Sequence, residues 1–384
     1  MKSLPFGVLM LLSLLISAAV SFGITPIVKR MAYKVGAVDV PKDARRMHSV
    51  PIPRLGGLAI AIAFLLTVLL FANVDEQMRG ILLGAVVILV LGVLDDCLTL
   101  RAWFKFLVQI FAAYLVTSHG CTIRYFSNPI VTSSVQYLDL GKWSVPITIV
   151  WIVAITNAVN FIDGLDGLAV GVSAISAATL LVIALLVAES NIAIVVAALL
   201  GACLGFLPYN FNPAKIFMGD TGSTFLGFIL ASLSIQGMFK LYAIISFAVP
   251  FLMLGLPIFD TCFAILRRLA RGQSPMAPDR GHIHHRLIDM GFTQKQAVAV
   301  LYLISAILGL SAVVLTTNNA MKAMLFLLAL CMAGAFGGRL YLSHSDSGGS
   351  GAAGEAKGRQ HRTPSKTQIA GNDNFFGEED RSDK

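Results

Sequence analysis

The sequence predicts an all-α, polytopic membrane helix bundle of about eleven transmembrane helices, with active-site loops on the cytoplasmic side. Three observations lead there. Apolar residues make up 56% of the 384 positions and charged residues only 13%, with a mean hydropathy of +0.78, a balance foreign to soluble globular domains. The apolar residues fall into eleven stretches, most of them near the length that crosses a hydrocarbon core. The polar residues gather in five short blocks at the ends of those stretches: 39–57, 95–96, 157–167, 217–223 and 279–286. Burying an unpaired charge in hydrocarbon is expensive, so acids, amides, histidines and arginines collected where water still reaches point to a site at the membrane surface.

The stretches are 4–28, 55–72, 81–94, 103–118, 145–158, 168–188, 192–207, 224–238, 242–266, 297–315 and 320–342. Ser17-Ala18-Ala19 in the first offers the small residues of a signal cleavage site. Its length, the lone Lys2 before it and Lys29-Arg30 after it favour instead an uncleaved helix with its amino terminus outside. An odd helix count then leaves the carboxyl terminus inside. Charge gives the same layout. Loops on the side of the polar blocks hold sixteen Lys and Arg, and the opposite side holds six: Lys2, Arg79, Arg124, Lys142, Lys240 and Lys322.

Between the fourth and fifth stretches, residues 120–143 mix Tyr125, Val131, Val135 and Tyr137 with Thr and Ser, the pattern of a short hairpin. Arg267, Arg268 and Arg271 end the ninth helix, where cations suit the dipole and lipid phosphates. Thr293 to Gln296 reads as a capping box for the tenth. Residues 1–342 form the integral membrane domain. Residues 343–384, rich in Ser, Gly, Asp, Lys and Glu, read as a disordered cytoplasmic tail. The net charge of +8 suits an anionic leaflet and anionic substrates, and no nucleic-acid module is recognisable. The five cysteines are scattered and odd in number, so neither a disulfide framework nor a thiolate metal site is indicated.

In the third block, Asn157, Asn160 and Asp163 recur at helical spacing and predict one polar stripe, with Gly164 and Gly167 opening the backbone to a ligand. In the fourth, residues 217–223 precede the eighth helix, so free N–H groups are predicted at its positive end. Asp220 would repel a phosphate there, and a hard cation such as Mg²⁺ between them resolves the conflict. Asp95 and Asp96 sit at the negative end of the third helix, an unfavourable place that asks for a compensating cation or a proton-transfer role. Lys105 and Arg101 follow as phosphate partners. His282 and His285 are spaced for one helical face, but nothing completes a zinc set; hydrogen bonding to phosphate by His282, His284, His285 and Arg286 fits better.

The ordered segments VDVPKDARRMHSVPIPRLGG, GVLDDCLTL, NAVNFIDGLDGLAVG, FMGDTGS and PDRGHIHHRL resemble the polyprenyl-phosphate N-acetylhexosamine-1-phosphate transferases, from about Leu4 to Leu342. The resemblance implies a ten- or eleven-helix bundle in the bacterial inner membrane, a lipid groove and a cytoplasmic Mg²⁺ site that can take Mn²⁺. It implies Asp220 and Asn160 as metal ligands, Asp95, Asp96 and Lys105 facing the lipid phosphate, and Asp163, Gly164, Leu165, Asp166 and Phe217 at the uridine end. The histidine block would lie beside the diphosphate. The implied partners are a UDP-N-acetylhexosamine, undecaprenyl phosphate and membrane lipid; a homodimer is compatible with the chain. The lipid-I-forming relatives carry three consecutive histidines followed by an aromatic and an acid. Gly281-His282-Ile283-His284-His285-Arg286 is instead similar to the branch that uses simple UDP-N-acetylhexosamines, with Arg286 expected to grip the diphosphate. An ion-coupled transporter would place its ionisable residues near the midplane rather than at helix ends. A CDP-alcohol phosphotransferase would carry Ala-Arg after its first Asp-Gly, whereas Leu168-Ala169-Val170 follows Asp166-Gly167 here.

Overall fold

A computed structural model describes residues 4–40, 50–127, 137–238, 248–274 and 281–316. Its elements in order are α1 (Phe6–Val35), β1 (Val38–Asp39), β2 (Ile52–Pro53), α2 (Gly57–Phe71), α3 (Glu76–Leu98), α4 (Ala102–Ser118), β3 (Tyr125–Ser127), β4 (Tyr137–Asp139), α5 (Ser144–Phe161), α6 (Leu168–Leu186), α7 (Ser190–Asn210), α8 (Gly219–Met238), α9 (Ala248–Met253), α10 (Gly255–Ala270), α11 (Ile283–Asp289) and α12 (Gln294–Thr316). The protein is therefore an all-α, multi-pass membrane protein. Among the described residues, α1, α3, α5, α6, α7 and α12 are long and apolar enough to cross a membrane, with α2 and α4 shorter apolar helices. The eleventh predicted stretch, the tail and residues 41–49 lie outside the described residues.

α1 and α7 show how such helices associate where lipid removes any hydrophobic gain. Ser13, Ser17, Ser21 and Thr25 recur every fourth residue on α1 and are buried. Ser17 Oγ donates to Ala198 O (2.6 Å) and Ser21 Oγ to Ala202 O (2.8 Å) on α7. Opposite them, a Cβ at Gly201 or Gly205 would overlap the α1 backbone at Leu14 or Ala18. Ser17 and Ala18 thus belong to a helix–helix seam.

Several predicted boundaries shift. α1 continues beyond residue 28 because Lys29, Arg30 and Lys34 ride its last turns out of the apolar layer, and Gly36, at φ 75°, ends it. α5 stops at Phe161, so Asp163 leaves the predicted Asn157–Asn160 stripe and sits in the following turn. The ninth stretch is not one helix: α9 and α10 are separated at Leu254. Pro257 has no N–H for the carbonyl of Met253, so the helical ladder restarts there. The hairpin β3–β4 and the Thr293–Gln296 capping box form as predicted, with Thr293 N–H donating to Gln296 Oε1 at 2.9 Å.

α8 is the core element. Phe225, Leu226, Phe228, Ile229, Leu230 and Leu233 have no exposed surface, and α2, α3, α5 and α6 surround it. Its first turn, Gly219 to Ser223, is thereby held among the polar ends of α3 and α5.

Candidate active site

The acidic pair at the end of α3 divides its work. Asp96 is 3% exposed and points at α8: its Oδ1 accepts from Asp220 N–H (3.1 Å), and its Oδ2 accepts from Thr221 N–H (3.0 Å) and Thr221 Oγ1 (2.6 Å). The first turn of α8 therefore begins at Gly219, inside the predicted loop, and two of its N–H groups are not free but capped by Asp96. Gly219 is required there, since its φ is +71° and a Cβ would overlap Asp96 and the carbonyl of Arg54. Arg54 follows β2 and donates from Nη2 to the carbonyl of Asp96 (3.1 Å).

Asp95 faces the other way. Its Oδ1 accepts from Leu100 N–H (2.8 Å), and its Oδ2 from Lys105 Nζ (2.8 Å), which also reaches Asp220 Oδ2 (2.9 Å). One ammonium from α4 thus ties the acid of α3 to the acid of α8. Arg101 is exposed at the start of α4.

The end of α5 and the turn that follows it, Ile162 to Gly167, supply further site residues. Asn160 Oδ1 accepts from Ser223 Oγ (2.6 Å), which docks the end of α5 on α8. Burial, then the like charges of Asp220, Asp96 and Asp166, push Asp163 up to about 8. Asp166 is a clamp: its Oδ2 accepts from Asn212 Nδ2 (2.9 Å) and Ala214 N–H (3.0 Å). Asn210 Oδ1 accepts from Gly167 N–H (3.0 Å), and Tyr302 on α12 donates to the Gly167 carbonyl (2.5 Å).

The histidine block forms α11 and its approach. His282 and His284 are buried; burial and the neighbouring His285 hold His284 down at about 4, so it is neutral at physiological pH. His284 lies against Gly164, where a Cβ would overlap its Nε2. Arg286 is exposed. Successive residues on a helix are turned by about 100°, so when His285 faces inward Arg286 is carried away. Arg286, for which the resemblance implied a grip on the diphosphate, is not among the residues that line the cavity between these elements.

These elements enclose a cavity of about 850 Å³. Of the predicted residues, Asp96, Asn160, Asp163, Gly164, Leu165, Asp166, Phe217, Asp220 and His285 line it, joined by Lys29, Tyr33, Asp39, Arg54, Asn210, Asn212, Lys215 and Gln294. Asp95 and Lys105 stand behind Asp220, and His282 and His284 behind His285. Among the described residues no three His, Cys, Asp or Glu side chains form a metal cage. The lining still suits Mg²⁺, which takes one or two carboxylates and leaves its other positions to water and substrate phosphates; Asp220 and Asn160 offer such hard oxygens on one wall. Sequence reasoning missed Asn210, Asn212 and Tyr302, which brace the Gly164–Gly167 turn, and Asp260, a lone acid on α10 whose isolation in an apolar helix was the available signal.

The chain is similar to known proteins over most of its length. The model of glycosyl transferase family 4 matches residues 78–238, from α3 through α8. A Bacillus subtilis (strain 168) protein named "Probable undecaprenyl-phosphate N-acetylglucosaminyl 1-phosphate transferase" is 47% identical over 293 residues, covering 76% of this chain and 81% of that one. A decaprenyl-phosphate N-acetylglucosaminephosphotransferase of Mycolicibacterium smegmatis is 35% identical over 329 residues, with 78% and 80% covered. The undecaprenyl-phosphate alpha-N-acetylglucosaminyl 1-phosphate transferase of Escherichia coli K12 is 30% identical over 294 residues, with 73% and 77% covered. With relatives this similar along most of its length and the acidic cavity at the ends of α3, α5 and α8, the chain belongs to the polyprenyl-phosphate N-acetylglucosamine-1-phosphate transferases of glycosyl transferase family 4.

Proposed function

We propose that this protein transfers N-acetylglucosamine-1-phosphate from UDP-N-acetylglucosamine to undecaprenyl phosphate at the cytoplasmic face of a bacterial inner membrane, releasing UMP and initiating a lipid-linked envelope glycan. The observation that carries the reading is Lys105 held between Asp95 and Asp220, directly behind the Asp220 that lines a cavity rich in acids and amides. Such an arrangement is suited to phosphates and a hard cation rather than to a neutral solute. The names of the relatives supply the sugar and the lipid.

In this reading an oxygen of the lipid phosphate attacks the sugar-linked phosphorus, the bond from that phosphorus to the bridging oxygen breaks, and UMP leaves. The lipid phosphate has a second pKa of about 6 and is largely dianionic at neutral pH, so no strong base is needed. Positioning and charge stabilisation carry the step. Lys105 has two carboxylates and can exchange one of them for an incoming phosphate. Asp96 keeps the α8 turn, and with it Asp220, at a fixed place. The turn from Asp163 to Asp166, braced by Asn210, Asn212 and Tyr302, forms the wall for the nucleotide end, and His285 borders the diphosphate. Asp220 and Asn160 would hold Mg²⁺, which supplies charge neutralisation at the diphosphate when bound.

The basic bias of the loops on the side of the polar blocks supports a cytoplasmic site and an external amino terminus. The test is UMP release by purified protein given UDP-N-acetylglucosamine and undecaprenyl phosphate. Release that requires both substrates and divalent cation is expected; release without the lipid, or none under any condition, contradicts the reading.

A further inference from the structure

We propose that Asp260 is the positioning residue for the histidine block: a buried carboxylate on α10 that orients His282 and the start of α11, and through them sets His285 at the cavity wall. The proposal rests on the transferase reading above. Asp260 is 3% exposed, on a helix whose Phe259, Phe263 and Leu266 are exposed apolar side chains. Both of its oxygens are committed to one short segment. Oδ2 accepts from His282 Nδ1 at 2.7 Å, and Oδ1 accepts from Ile283 N–H at 2.8 Å. A carboxylate only accepts, so the imidazole proton is held on Nδ1 and the ring is fixed in both tautomer and plane.

The remaining contacts run in sequence from that ring to the cavity. His282 lies nearly parallel to His284, with centroids 5.7 Å apart and planes at 12°, and Phe161 flanks it at 6.2 Å. His284 meets His285 at 4.2 Å and also fills the space left by Gly164. A displaced His282 therefore shifts a cavity-lining ring and the turn that carries Asp163. Filling the site on α10 requires no acid, and an apolar side chain there would avoid the desolvation of a buried carboxylate. What an apolar side chain cannot supply is the pair of directed hydrogen bonds.

The experiment is steady-state kinetics of the full chain in detergent, with UDP-N-acetylglucosamine and undecaprenyl phosphate, for Asp260→Ala, Asp260→Asn, His282→Gln and the double variant Asp260→Asn/His282→Gln. Asp260→Ala and His282→Gln are each expected to lower kcat roughly 10- to 100-fold, the scale of an ångström-sized misplacement, while KM for the lipid stays within about 3-fold. The double variant is expected within about 3-fold of the worse single one, because the two residues act as a unit. Where Asp260→Ala fails to fold, Asp260→Asn carries the test, since its amide oxygen still accepts from Ile283 N–H while its tautomer control is gone. Wild-type kcat in that variant overturns the proposal, as does a lowered melting temperature with unchanged kcat per folded molecule. Losses that multiply in the double variant also overturn it. Wild-type protein that releases no UMP fails the transferase reading itself, and this proposal falls with it; an active wild type beside a fully active Asp260→Ala fails this proposal alone.

Discussion

Asp96 ends α3 but does its structural work on α8, and the size of that work can be estimated bond by bond. Its carboxylate accepts three hydrogen bonds, from the N–H groups of Asp220 and Thr221 and from the Thr221 hydroxyl. Asp96→Ala leaves all three donors to find water or go unsatisfied. At about 1–1.5 kcal/mol net for each bond, the loss is roughly 3–4.5 kcal/mol. Asp96→Asn keeps one oxygen. That oxygen can remain on Thr221, but the amide nitrogen then faces the Asp220 N–H, donor against donor, for a cost of about 1–3 kcal/mol. Thermal unfolding in detergent should therefore rank wild type above Asp96→Asn, and Asp96→Asn above Asp96→Ala. Turnover should fall in both variants because Asp220 is no longer held. Melting of Asp96→Ala within about 1 °C of wild type, far less than the several degrees such a loss implies, would refute the capping argument and leave Asp96 acting on substrate instead.

Other variants separate the remaining roles. Asp220→Asn should lower kcat by roughly 10²-fold or more, and excess EDTA should abolish wild-type turnover, with recovery on adding Mg²⁺; near-normal rates in either experiment contradict a cation at Asp220. Gly164→Ala places a methyl group against the buried ring of His284, so kcat/KM should drop roughly 10- to 100-fold. Adding His284→Ala should restore part of that loss, and no restoration speaks against the contact. Arg286→Ala should change kcat/KM by less than about 3-fold, since the side chain is exposed and off the cavity wall; a larger loss would mean that α11 turns when substrate binds.

Much of the site was legible in the sequence because an acid or amide in so apolar a chain stands out. Asp96, Asn160, Asp163, Asp166 and Asp220 reach one cavity, although they come from α3, α5, the following turn and α8. What the sequence did not carry was partnership across the fold. The cap that Asp96 gives α8 joins residues more than a hundred positions apart, and no local pattern marks it. Helix ends were misplaced where hydropathy and hydrogen bonding stop at different residues, at Val28 against Val35 and at Thr224 against Gly219. The outward placement of Arg286 was not legible for a related reason. The block around it is short and mixes polar with apolar residues, so which polar side chain turns inward follows from contacts with Gly164 and Asp260 rather than from its own residue pattern.

The central claim is that sugar and phosphate move together to the lipid. A donor carrying ³H in the sugar and ³²P in the phosphate attached to it tests this in one incubation with undecaprenyl phosphate. Both labels should enter the lipid product in equal amounts while unlabelled UMP is released. Lipid that acquires ³H without ³²P, with ³²P left in UDP, would mean transfer of the sugar alone and would contradict the account.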